Sequence, residues 1–152
     1  MENKTMNTKV FPVVFVIGIL SSSFAFSQET CAQKAQRDET VFKHRGPLVI
    51  SITKKIVQGV PFTKRETDAM PLNDIERTAM EGYNAGFVAS LEPKKNIKAD
   101  ILRRFQKSLD DTARGLSPDE ATFANALSSK IVSIFSKSFD AGYADGRKPC
   151  PQ

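Results

Sequence analysis

The 152-residue chain contains one histidine, two cysteines and no tryptophan. One histidine excludes any centre that needs two, which covers most zinc sites, and two cysteines cannot complete a tetrathiolate cluster. The sequence has no phosphate-binding Gly-rich loop, no Gly-x-Ser-x-Gly elbow and no Cys-x-x-Cys pair. Strand signals are also missing, since no run alternates apolar with polar residues and no Asn-Gly hairpin turn occurs. Neither a metal nor another cofactor is expected.

Hydrophobic residues make up 40% of the chain and charged residues 26%, a balance that suits a globular domain rather than a disordered segment. The length allows one domain. The formal net charge of +5 is mild. Lys and Arg outnumber Asp and Glu over residues 28–109 but not over 110–152. That asymmetry can attract an acidic partner or an anionic lipid, or it can be an ordinary solvated helix face.

Residues 1–27 read as a signal peptide. Lys4 and Lys9 give a positive start, residues 10–20 an apolar stretch too short to span a bilayer alone, and Ala25-Phe26-Ser27 a small-residue cleavage site. Cleavage is expected before Gln28, with Phe26 as the second choice for the new N-terminus. An uncleaved membrane anchor is the alternative. Residues 28–152 then form one helical domain, periplasmic or secreted, with no stable membrane insertion. Export argues against nucleic acid as a partner. Cys31 follows Gln28-Glu29-Thr30, which are too polar and bulky for a lipid-attachment motif.

Cys31 and Cys150 bracket that domain. In an oxidising compartment they are expected to pair, joining the two ends. A redox thiol or an intermolecular bridge is the alternative.

The periodicity predicts an all-α fold, a small bundle of four or five helices. A short polar helix runs from Cys31 to Arg45 and is broken by Gly46-Pro47. Leu48, Val49, Ile52 and Ile56 predict a helix to about Gly59, followed by a linker to Pro71. Asn73 to Glu76 reads as a capping box for a helix reaching about Leu91, with Pro93 marking its end. Ile97, Ile101, Leu102, Phe105 and Leu109 form the next stripe, opposite Lys98, Arg103, Arg104 and Lys107. Ser117-Pro118-Asp119-Glu120 combines an N-cap, a proline at the first helical position and a closing Glu. The helix it opens runs to about Arg147.

Few residues suggest chemistry. His44 is flanked by Lys43 and Arg45 and has no Ser or Cys nearby to pair with, which suits a surface residue. The carboxylate pairs are Asp38-Glu39, Asp110-Asp111, Asp119-Glu120 and Asp140 with Asp145. A small hydrolase would need two carboxyls across a cleft, one with a raised pKa, and Glu81, Asp140 and Asp145 are the candidates. The most distinctive feature is a repeated Gly-Tyr-x-x-Gly. It comprises Gly82, Tyr83 and Gly86 in one copy and Gly142, Tyr143 and Gly146 in the other. A glycine inside a helix costs about 1 kcal/mol against alanine. Two glycine pairs on helical faces therefore point to close packing or to a binding site, with Gly146 also readable as a helix stop.

Tyr83-Asn84-Ala85-Gly86, Ser90-Leu91, Ile97 and Ile101, Phe105, Leu109-Asp110 and Leu116 to Glu120 follow one another in a familiar order. The order resembles the α-helical N-terminal dimerisation domain of FKBP-type peptidyl-prolyl isomerases of the bacterial envelope. The likeness covers residues 83–135. It implies a helical module that dimerises or holds unfolded clients. It does not imply isomerase activity, because no catalytic domain follows, and the second Gly-Tyr-x-x-Gly and the cysteine pair are foreign to that pattern. A fainter likeness is to periplasmic immunity proteins that block toxic effectors. The expected function is an exported, non-enzymatic module that binds another protein, with homodimerisation compatible. The alternatives are an immunity protein, a carboxylate hydrolase and a purely structural envelope component.

Overall fold

A computed structural model describes residues 28–92 and 96–150. The expected signal peptide and the stop at Pro93 lie outside them. Every regular element among the described residues is an α-helix: α1 (Cys31–Arg37), α2 (Thr40–Gln58), α3 (Lys64–Ala69), α4 (Leu72–Ala89), α5 (Ile97–Thr112) and α6 (Pro118–Gly146).

The described residues form six helices where four or five were expected, and the differences have local causes. The first break falls at Asp38, not at Gly46-Pro47. The Asp38 carboxylate accepts hydrogen bonds from the Thr40 backbone N–H (2.9 Å) and hydroxyl (2.6 Å), which closes α1 and starts α2. The α2 helix then runs through Pro47. Arg45, Val49, Thr53 and Val57 recur every fourth residue and are all buried, so tertiary packing holds the helix across the proline. Gly46 eases this locally, because a residue before proline resists helical geometry partly through its Cβ. Leu48, one of the four apolar residues whose spacing predicts this helix, faces outward at 43% exposure.

The expected linker between α2 and α4 contains α3. It is opened by a capping box in which Thr63 and Glu66 bond each other's backbone N–H groups. No side chain caps α4, which starts after Pro71, so the expected Asn73 box does not form. The box that opens α6 does form. Glu120 accepts from the Ser117 backbone N–H (3.0 Å) and hydroxyl (2.6 Å).

α4 and α6 form the central pair, burying Ile75, Ala79, Tyr83 and Phe87 against Ile131, Ile134, Phe135 and Phe139. α2 lies along this pair. α1 covers one end through Cys31, Ala32 and Ala35. The opposite end holds Val57, Ile75, Ala79, Ile131 and Ile134, with Phe62 and Met70 packed against them. There Lys130 bonds the buried Glu66 carboxylate and the Pro61 carbonyl, both at 2.8 Å. α5 buries no residue fully and attaches through Ile97, Ile101, Leu102 and Phe105, with Phe105 stacked on Phe135 at 4.3 Å.

The Cys31–Cys150 disulfide closes the end covered by α1, with Cα atoms 4.4 Å apart. A backbone hydrogen bond from Cys31 to the Lys148 carbonyl (2.7 Å) supports it. No helix among the described residues is long and apolar enough to cross a membrane.

Candidate functional site

The two Gly-Tyr-x-x-Gly segments face each other across the α4–α6 crossing. A methyl at Gly82 would lie 2.6 Å from the Phe135 carbonyl oxygen, and one at Gly86 would strike the Phe139 carbonyl. A methyl at Gly142 would strike the Tyr83 carbonyl. One at Gly146 would meet Ser90 Oγ and, at 2.9 Å, the Phe87 carbonyl. All four glycines therefore admit backbone against backbone. Gly146 is helical and not in the left-handed region, so it is a packing residue rather than a helix stop.

The two tyrosines do different things. Tyr83 is 2% exposed, and its hydroxyl donates to Asp145 Oδ2 at 2.6 Å. Asp145 belongs to the second segment, so this bond ties one copy of the motif to the other. Arg45 of α2 completes the cluster. Its Nη2 donates to Asp145 Oδ2 (2.9 Å) and to the Tyr83 hydroxyl (3.2 Å), and its Nη1 lies 3.1 Å from Cys31 Sγ. The guanidinium also sits over the Phe87 ring at 5.4 Å. Lys148 reaches the other Asp145 oxygen at 3.4 Å. Burial, and then the bond to Asp145, pushes the Tyr83 phenol up to about 12. Tyr143 stays outside this cluster, half-buried, stacked on Phe139 and covered by Arg147.

Arg45 is the residue that sequence reasoning missed. Beside His44 it reads as one of two surface cations. The four-residue spacing that it shares with Val49, Thr53 and Val57 is the signal that could have placed it inside. His44 itself is exposed, with Nδ1 2.8 Å from the Thr40 carbonyl.

The hydrolase candidates do not share a cleft. Glu81 is exposed, Asp140 is exposed and paired with Lys98 at 2.7 Å, and Asp145 is taken up by Arg45 and Tyr83. The carboxyls that are clearly perturbed, Asp38, Glu66 and Glu120, are all held below the ordinary range. The leading causes are hydrogen bonds from Thr40, Lys130 and Ser117 respectively, and a general acid needs the opposite shift. Among the described residues no cluster of His, Cys, Asp or Glu is arranged to hold a metal ion.

Two open clefts flank the staple end. A groove of about 840 Å³ runs between α1, α4 and the start of α5, with Gln33 and Asn84 beside Val88, Leu91 and Ile97. A cleft of about 490 Å³ lies where α1, α2 and the C-terminal tail meet, lined by Lys34, His44, Arg45, Leu48 and Cys150.

The outer face of α2 carries two parallel ladders, Lys43-Pro47-Ile50-Lys54 and His44-Leu48-Ser51-Lys55, all exposed. The first has Pro47 and Ile50 between two lysines, the second ends on Lys55, and α2 contains no carboxylate. No known protein family, curated protein or solved structure matches the chain.

Proposed function

We propose that the chain is an exported, non-enzymatic module that binds an acidic surface on another protein of the periplasm or extracellular space. The outer face of α2 carries this reading. Leu48 and Ile50 are 43% and 42% exposed, and Lys43, Lys54 and Lys55 surround them without any acid on the same helix. Exposed apolar side chains inside a ring of one charge sign suit a partner with a hydrophobic centre and an acidic rim. The disulfide is consistent with an oxidising compartment. The likeness to an envelope dimerisation domain supports the helical-module part of the reading.

The test places a photo-crosslinker at Ile50 in the expressing cell, purifies the captured protein and measures its affinity in vitro. Lys54→Glu with Lys55→Glu should weaken binding about tenfold or more, corresponding to about 1.4 kcal/mol, without lowering the melting temperature. Added salt should weaken the wild-type complex. Unchanged affinity after double charge reversal would reject the α2 face. Binding to anionic vesicles with no protein captured would reassign that face to lipid.

A further inference from the structure

The disulfide is asymmetric. Cys31 is wholly buried, whereas Cys150 is partly exposed and lines the 490 Å³ cleft together with Lys34 and His44. The Arg45 guanidinium lies 3.1 Å from the sulfur of the buried partner. A disulfide sulfur is a weak acceptor and gains little from such a cation. A thiolate at the same place gains much more. Arg45 is therefore positioned to favour the state in which Cys31 has left the disulfide. We propose that Cys31–Cys150 is a thiol–disulfide exchange site, in which a dithiol reductant attacks Cys150 from the cleft and Arg45 receives Cys31 as the departing thiolate.

The exchange balances as two displacements. The reductant's thiolate forms a bond to Cys150 Sγ as the Cys31–Cys150 bond breaks, and the electron pair goes to Cys31 Sγ. The reductant's second thiolate then displaces Cys150. The reductant ends as a disulfide, and the protein has gained two electrons as two thiolates. A more stable leaving thiolate speeds the first displacement, and the attacked sulfur must be reachable. The cleft wall carries Lys34 and the Asp38 carboxylate together, so approach to Cys150 rests on its exposure rather than on a one-signed field. Opening the bond also frees the joint between Cys31 and Lys148. α1, which packs through Ala32 and Ala35, would then loosen from Val49, Tyr83 and Phe87, beside the start of the basic α2 face. This site does not depend on what binds α2.

The experiment treats native protein with glutathione, quenches with acid and maps the mixed disulfide. Glutathione should be found on Cys150, and a majority on Cys31 would overturn the proposal. The second arm follows reduction by dithiothreitol. Arg45→Gln should slow it, on the order of threefold to tenfold, and Arg45→Lys should restore most of the rate. A purely structural Arg45 predicts the reverse, because a loosened fold exposes the disulfide and speeds its reduction. Unchanged or faster reduction in folded Arg45→Gln therefore also overturns the proposal. If Arg45→Gln does not fold, the mapping on the wild type decides alone.

Discussion

At the scale of single residues, the four motif glycines set the distance between the two central helices. Gly142→Ala pushes a methyl into the Tyr83 carbonyl, and Gly82→Ala places one 2.6 Å from the Phe135 carbonyl. Neither neighbour is a flexible side-chain end, so both substitutions should lower the melting temperature, by roughly 1–3 kcal/mol of stability or more. Thermal unfolding followed by circular dichroism checks the sign. Helix propensity alone predicts a gain of about 1 kcal/mol. Tyr83 gives a second residue-level expectation. Its phenol titrates at 10.0 when free and near 12 in the fold, so folding favours the protonated form. The associated stability is complete below pH 10 and is lost as pH rises towards 12. Denaturant melts across that window should show the decline, and Tyr83→Phe should remove it, together with one late phenolate absorbance change. The glycines were legible in the sequence because repeated glycine at helical spacing is costly and needs a reason. Arg45 was not, because a cation next to a histidine looks like surface until its distant partners Tyr83 and Asp145 are known.

At the scale of elements, the long helices were legible and the short or interrupted ones were not. α4, α5 and α6 each carry an apolar stripe of three or more turns, and the Ser117-Pro118-Glu120 start is local chemistry that needs no tertiary help. α3 spans only six residues and holds its place through Glu66 and Lys130, which are far apart in sequence. α2 shows the opposite failure. The local signal at Gly46-Pro47 says stop, but the buried line from Arg45 to Val57 outweighs it. Pro47 is exposed and removes one helical hydrogen bond, so Pro47→Ala should stabilise the protein. The expected gain is about 1–3 kcal/mol, limited by the unfolded-state entropy that proline also removes. A higher denaturation midpoint with an unchanged slope is the check. A lower midpoint would mean that the proline is needed by a neighbouring contact.

At the scale of the whole molecule, the bond between Cys31 and Cys150 spans 119 positions. In the chain-entropy account so long a loop contributes about 5 kcal/mol through the unfolded state. Replacing both cysteines by alanine should therefore lower the melting temperature substantially and leave the helical circular-dichroism spectrum intact at low temperature. If the pair of alanines leaves the melting temperature unchanged, the reduced chain already brings its ends together when unfolded. The closed chain also behaves as a covalent ring from Cys31 to Cys150. The exposed turn at Gly115 and Leu116 lies midway between α5 and α6, outside every core cluster. A single protease cut there turns the ring into one linear molecule with its ends in a new place, not into two fragments. Such a nicked protein would migrate as one band without reductant and as two with it. α4 and α6 would remain partners in one molecule after the peptide link between them is gone.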